Sequence, residues 1–475
     1  MIDERIERFI AEAARGRYSR RELMRRATAL GLSAPLVAAA ISATPSRVLA
    51  QDTKNPIGVD PGAPLDVVIF KGGYGDDYAL NVNKLYEAAY PGAKIKYAGI
   101  QRLGEQLRPR FVSGEPPDII DNSGAGNLVN ADLVAEESLA DLADLMAAPA
   151  YGDEATTFKD SLIAGSQELG VYDGKQYVLL YAYTVYGLWH SKKLFDEKGW
   201  EVPKTWDEFM TLGDTIKGEG IAPLTYQGKY PYYIQAVLDA LSFKNGGVEA
   251  FAKIDNLEPD AWKQPSVQAA AEAIAQIHEK GFLMEGTEGL THTESQAEWL
   301  QNKAAFIPCG NWLENEMKDL TPEGFDMVVT PTPSLSGDKL PFEGIEGYAG
   351  ENFIIPSQGK NVQGGKEWAR MLFSKEGARF FSENTKALTV VLGATEGLDL
   401  GVAFKSVEDA LAASGQNVFS RRYDTWYAKL ATEAQNQCGA LINGRITPQE
   451  YMDKVQAAAD ATAKDDSIPK YKREV

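Results

Sequence analysis

Leu65-Asp66-Val67-Val68-Ile69-Phe70 is the stretch from which the fold is read. It is a β-rich apolar run, stopped at once by Lys71-Gly72-Gly73, where the chain has to turn. A helical segment follows over roughly Asp77 to Tyr90, then a strand over Ala93 to Tyr97 and a helix over about Gly104 to Ser113. Another strand, Pro117-Asp118-Ile119-Ile120-Asp121, ends at Asn122-Ser123-Gly124. Strands alternating with helices imply a mostly parallel sheet in a layered α/β fold. Ligands of such sheets sit beyond the carboxyl ends of the strands. The loops 71–76 and 122–126 are therefore candidate binding loops, with Lys71, Asp76, Asn122 and Ser123 as their polar side chains. Each also has a plainer reading: Asn-Ser-Gly favours a turn on its own, and loop charges are often only solvated.

Towards the C-terminus, Tyr177 to Trp189 reads as a long apolar and aromatic strand. Pro203-Lys204-Thr205-Trp206-Asp207-Glu208-Phe209 opens a helix, with Thr205 and Glu208 spaced as a capping box. Ala305 to Trp312 is a short strand and turn, and Phe353-Ile354-Ile355-Pro356 is another strand. Helices are expected over Glu367 to Asn384, over Thr425 to Leu441 and from Thr447-Pro448-Gln449-Glu450 onward, with a loose polar tail after Lys464.

Towards the N-terminus, residues 51–61 read as an extended leader and 1–50 as an export signal. Ser19-Arg20-Arg21-Glu22-Leu23-Met24-Arg25 resembles a twin-arginine motif, an Ala- and Leu-rich stretch runs from Ala27 to Ala43, and Val48-Leu49-Ala50 suits cleavage before Gln51. The apolar run is short for a spanning helix, which needs ~20 apolar residues. No Cys lies near the cleavage point, so a soluble protein without a lipid anchor is expected, in the periplasm of a bacterium with two membranes.

The 475 residues are too many for one core and imply at least two domains or lobes. Net charge is -19, but nine Arg stand against five acids in the first 50 residues, leaving 39 bases and 62 acids in the rest. So acidic a body argues against nucleic acid or an anionic membrane surface as partner. Two cysteines, Cys309 and Cys438, are no disulfide framework, and whether they pair stays open. His190, His278 and His292 stand in no zinc-ligand spacing and there is no Cys-x-x-Cys, so no metal is expected. The Gly72-Gly73-Tyr74-Gly75 turn follows neither phosphate-cradle spacing, and no cofactor is implied.

Four stretches in order carry a resemblance: Val67-Val68-Ile69-Phe70 with its glycine turn, Pro117-Asp118-Ile119-Ile120, Pro203-Lys204-Thr205-Trp206-Asp207-Glu208-Phe209, and Asn302-Lys303-Ala304-Ala305-Phe306 leading to Gly310-Asn311-Trp312. From about Asp66 to Asp460 the chain resembles the extracellular solute-binding proteins of carbohydrate ABC importers, the group that includes maltose-binding protein. Local text at Phe70 to Tyr78, Ile120 to Gly124, Tyr226 to Tyr233, Asp255 to Pro259 and Pro331 to Leu335 is similar to the subgroup binding N-acetylglucosamine and its β-linked dimer, chitobiose. Members of that subgroup are usually lipid-anchored through a Cys absent here.

The resemblance implies a periplasmic-binding-protein-like fold: two α/β lobes joined by three crossovers, with the ligand cleft between them. Lobe one is expected over 62–182 and 349–397, lobe two over 183–348 and 398–475. It also implies which aromatic faces meet sugar, namely Trp312, Trp426, Tyr232 and Tyr183, with Asn311, Glu314 and Glu351 as further polar contacts. A monomer is expected, delivering sugar to membrane permease subunits and doing no catalysis. The same fold binding another oligosaccharide is one alternative. An exported glycoside hydrolase is another, but it would need two carboxylates ~5–10 Å apart across the bond, and nothing isolates such a pair among 62 acids.

Overall fold

The computed structural model describes residues 55–124 and 126–474. The export segment 1–50 and the first residues of the leader lie outside the described residues.

A ten-stranded mixed sheet runs through the body. β1 (Leu65–Phe70) lies between β2 (Ile95–Ile100) and β3 (Ile119–Asp121), parallel to both, with Val67 beside Tyr97 and Ile119. Parallel pairing brings the ends of β1 and β3 to one edge, so the loops after them are neighbours. β4 (Val178–Ser191) is fourteen residues long and almost wholly buried. A strand covered on both faces carries a continuous apolar run rather than alternation, which is why Tyr177 to Trp189 was legible as one element. β5 (Ala222–Leu224), β6 (Ala304–Gly310) and β7 (Met327–Thr330) gather around its second half, while β8 (Ile345–Ile354) runs antiparallel along its first, Tyr183 opposite Ala349 and Tyr186 opposite Glu346. Two short strands, β9 (Leu388–Thr389) and β10 (Val418–Phe419), complete the sheet against β4 and β8.

Buried apolar side chains divide at the middle of β4 and β8. One cluster draws on 57–182 and 349–394; two adjoining clusters draw on 185–345 and 403–459. The chain therefore folds as two α/β lobes, with β4, β8 and a segment near 395–402 passing between them.

Thr205 caps the helix Trp206–Gly218 by accepting from Glu208 N–H, and Glu208 accepts from Thr205 N–H, the reciprocal pair expected from the sequence. The helix expected over Glu367 to Asn384 is instead two, Val362–Leu372 and Lys375–Thr385, because Ser374 is extended and its hydroxyl accepts from Gly377 N–H at 3.0 Å. The helix expected over Thr425 to Leu441 is likewise split into Tyr423–Trp426 and Ala428–Ile442, with Tyr427 at φ -134 and ψ 76 between them. The tail after Lys464 is not loose. Arg473 pairs with Asp255 at 2.7 Å, donates to Ser420 O and lies over the Phe243 ring, and its backbone C=O and N–H are bound by the Asn256 side-chain amide. A polar tail is held when its charge finds a buried partner, and nothing along the chain marks Asp255 as one.

Candidate ligand-binding site

β1 and β3 deliver the first wall. Lys71 Nζ lies 3.0 Å from Asp76 Oδ1, and Tyr97 OH donates to Asp76 Oδ2 at 2.8 Å. Lys71 is largely exposed, whereas Asp76 is buried. The ring of Phe70 fills the gap between the two loops: a Cβ on Gly72 would sit 2.1 Å from it, and one on Gly124 2.0 Å. Both glycines are thus required by close approach of a ring, a role invisible in the sequence, where Phe70 reads only as the end of a strand.

Asn122 is fully buried, and its amide is spent within the lobe, donating to Leu128 O and Asn130 Oδ1 and accepting from Leu128 N–H. Ser123 Oγ donates to Asp121 Oδ1 at 2.6 Å and accepts from Asn352 N–H at 2.7 Å. Asp121 also accepts from Tyr78 OH at 2.6 Å and shares a hydrogen bond with Glu351. Burial pushes both carboxyls upward; Asp121 makes Glu351 still harder to ionise, while the hydrogen bond from Glu351 eases ionisation of Asp121, so the pair shares one proton, held on the Glu351 side. Glu351 sits at φ 51, a left-handed conformation that strains a non-glycine residue. It lies on β8 at the lobe boundary, tying this crossover to β3.

The second lobe supplies an aromatic platform. Trp312 is half-buried, with ring centroids 6.2 Å from Tyr186 and 6.3 Å from Tyr233, and Tyr232 stacks on Tyr233 at 4.0 Å. The indole lies over Gly310, where a Cβ would fall 2.0 Å from Cζ3. Gly310→Ala is accordingly expected to displace the indole, weakening sugar binding about tenfold while lowering Tm by only a few degrees; overpacking of this kind costs about 1–3 kcal/mol. Calorimetry and a thermal melt on the same sample check it, and unchanged affinity would disprove the role given to Gly310.

Trp312 also meets the first wall. A Cβ on Gly73 would be 3.4 Å from Trp312 Cβ and 3.5 Å from Glu316 Oε1, and Asn315 donates to Gly73 O. The lobes therefore touch at Trp312. Glu316 is held by His292 Nε2 at 3.2 Å and Gln296 Nε2 at 2.8 Å. Asn311, by contrast, is spent on the crossover: it donates to Tyr183 O at 3.0 Å and accepts from Val185 N–H. Glu314, half-buried, has one carboxylate oxygen out of contact with water and without a hydrogen-bond partner, and burial pushes its carboxyl up to about 7.

Tyr183 and Trp426 go elsewhere. Tyr183 lines a groove of about 550 Å³ shared by 163–169 of one lobe and 416–422 of the other, with Gly347, Tyr348, Phe243 and Arg473. Arg422 crosses this groove to Glu168 at 3.1 Å. Trp426 is 8% exposed, under Arg422 and against Tyr471, whose ring also meets Tyr172 of the first lobe. Of the residues named from sequence, Trp312 and Tyr232 thus share one wall, which meets the loop carrying Lys71 and Asp76 at Gly73, while Glu314, on the same short helix, sends its carboxyl towards Gly401. Tyr186, Tyr233, His292 and Glu316 join that wall and were missed; Tyr186, an aromatic in the crossover strand next to Tyr183, was the one with a sequence signal.

The bacterial extracellular solute-binding protein family matches this chain over residues 60–379. The chain belongs to that family. The diacetylchitobiose binding protein NgcE of Streptomyces coelicolor is 34% identical over 426 residues, covering 89% of this chain and 90% of the relative. A probable sugar-binding periplasmic protein of Rhizobium meliloti is 24% identical over 234 residues, covering 49% of this chain and 53% of the relative. Among solved structures, a chitin oligosaccharide binding protein superposes with TM-score 0.71 at 21% identity, over 85% of this chain and 99% of that one. The raffinose complex of RafE superposes with TM-score 0.65 at 16% identity, over 84% of this chain and 99% of that one. The shared architecture is that of two-lobed sugar receptors. Among the described residues of this solute-binding protein, no helix is long and apolar enough to cross a membrane, no group of three His, Cys, Asp or Glu could hold a metal, and Cys309 and Cys438 are both buried and free.

Proposed function

We propose that this solute-binding protein is the sugar-binding component of an ABC importer and takes N-acetylglucosamine or its β-linked dimer between its lobes. The observation that carries this is Trp312: a half-buried indole on one lobe, backed by Tyr186 and Tyr233, meeting the Lys71–Asp76 loop of the other at Gly73. A sugar offers apolar CH faces and a rim of hydroxyls, which suit an aromatic face flanked by a few fixed polar groups. Lys71, Asp76, Tyr232 and Glu314 are the polar groups best disposed to meet hydroxyls there. Ser123, Asn122, Asn311 and Glu351 act on the ligand through the loops and crossovers they hold. Tyr183 lines the groove and Trp426 lies beneath Arg422 beside it, and both affect binding through the relation of the lobes. The name of the 34%-identical relative supports the acetamido dimer as ligand.

Lobe boundaries at 62–182 with 349–397, and 183–348 with 398–475, are supported by the division of the buried clusters. Contact with both lobes favours the closed form, which docks on permease subunits. We place the protein in the periplasm, as a soluble monomer without lipid anchor, exported by a twin-arginine signal over 1–50 and acting without catalysis. The test is calorimetry on protein starting at Gln51 with N-acetylglucosamine, diacetylchitobiose, maltose and cellobiose. Saturable binding of the acetamido sugars alone is expected. Binding of maltose or cellobiose in their place would keep the receptor and reject the ligand.

A further inference from the structure

Glu314 follows Trp312 by two residues, on the short helix Leu313–Met317 that turns Trp312, Asn315 and Glu316 towards Gly73. Its own carboxyl points to a different quarter of the gap between the lobes. Glu314 Oε1 lies 3.9 Å from where a Cβ on Gly401 would be, beside the third segment that passes between the lobes. Glu314 Oε2 is removed from water, and no donor among the described residues takes water's place. Buried polar atoms are nearly always satisfied, and one left over calls for an explanation. In its ionised form the carboxylate can only accept, so the partner missing from that form is a donor.

The charged groups around it do not supply that donor. Lys386, at the end of the helix Lys375–Thr385, acts on Glu314 electrostatically but makes no ion pair with it. Asp399, in the segment leading to Gly401, is an acid that accepts from Gly401 N–H. Glu316 is engaged by His292 and Gln296.

We propose that Glu314 is the acceptor for a hydroxyl or amide N–H of the sugar, and that binding the sugar drives a proton from its carboxyl into solvent. This rests on the sugar-receptor reading above and adds its coupling to pH. With the sugar absent, burial holds the carboxyl at about 7, so about half of the molecules carry the proton at pH 7. A donor from the sugar is held more strongly by the ionised carboxylate than by the neutral acid, so binding favours release of the proton from the protonated fraction. The balance is one carboxylic acid and one sugar donor becoming one carboxylate, its hydrogen bond to the sugar and one proton in water. The sign follows from linkage: affinity rises with pH up to the point where Glu314 is already ionised, and is lost as pH falls below it.

Calorimetric titration of the whole mature chain with diacetylchitobiose, at pH 7 in phosphate and in Tris, reads the proton count from the difference in heat. Release of about half a proton per sugar is expected, with affinity about tenfold weaker at pH 6 than at pH 8. Glu314→Gln is expected to abolish the release and flatten the pH profile. His278→Gln, an exposed histidine on the helix Pro265–Glu279 away from the site, is expected to leave the release in place. Binding of the sugar with no release, with proton uptake, or with a release that survives Glu314→Gln or vanishes in His278→Gln would overturn this proposal while leaving the receptor reading intact. If no acetamido sugar binds at all, both fall.

Discussion

Trp312→Ala is expected to raise the Kd for diacetylchitobiose by roughly thirtyfold or more, a loss of at least about 2 kcal/mol, of the size found for central aromatic anchors. Trp312 is the side chain through which the second lobe's platform, Tyr186 and Tyr233, reaches the first lobe at Gly73. Truncation removes a stacking face and opens the contact between the lobes in one step. Stability is expected to change far less, because the indole is half-buried at the edge of two clusters rather than inside either. Titration calorimetry beside a thermal melt separates the effects. A variant that binds as tightly as the parent would remove the sugar from Trp312 and turn attention to the groove at Tyr183 and Arg422.

Arg421→Leu is expected to destabilise the fold by about 3–5 kcal/mol, the range for breaking a buried ion pair from one side. Arg421 is 10% exposed and lies 2.9 Å from Asp239, 2.8 Å from Asp424 and 3.4 Å from Glu346. Its removal leaves three carboxyls beside the crossover strand with no cation. The loss depends on pH in a determinate direction. Burial already pushes Glu346 up to about 7 and Asp239 up to about 6. The folded chain therefore holds more protons than the unfolded chain between about pH 4 and 7, and these groups lower stability as pH rises through that window. Without Arg421 both carboxyls rise further, so the deficit is expected to be larger at pH 8 than at pH 5. Denaturant unfolding at the two pH values measures it. A deficit below about 1 kcal/mol, or one equal at both pH values, would show that Arg421 does not hold this cluster.

Tyr183 and Trp426 show why the surroundings of a side chain are hard to see along a chain. Both are aromatic and both stand at or near a crossover, as the resemblance required. Yet in an extended strand successive side chains point to opposite faces. Tyr186, three residues on, reaches Trp312 on the platform, while Tyr183 lines the groove behind Arg422. Trp426 is drawn to that side as well, by the Tyr471 ring of the C-terminal tail. Asn122 and Asn311 make the same point for polar residues. Their positions at strand ends were legible, but not that Leu128, Asn130 and the Tyr183–Val185 backbone would use up their amides.

By itself the sequence determined what depends on local pattern. The apolar runs at β1 and β4, the strand–helix alternation that makes parallel β1 and β3 end at one edge, and the Thr205–Glu208 cap follow from residue type and spacing over a few positions. So does the place of Trp312, on a turn at the end of a strand. What the tertiary structure decided was partnership across the chain. The lobe contact of Trp312 with Gly73 spans more than two hundred residues, as does the clip of Arg473 on Asp255. Asp121 and Glu351 share a proton only because β3 and β8 are brought side by side. Glu314 Oε2 is cut off from water without gaining a donor only because the chain packs around it. Such pairings depend on distance and burial in three dimensions, which set hydrogen bonds, desolvation and charge, and neighbouring residues in a sequence carry no record of them.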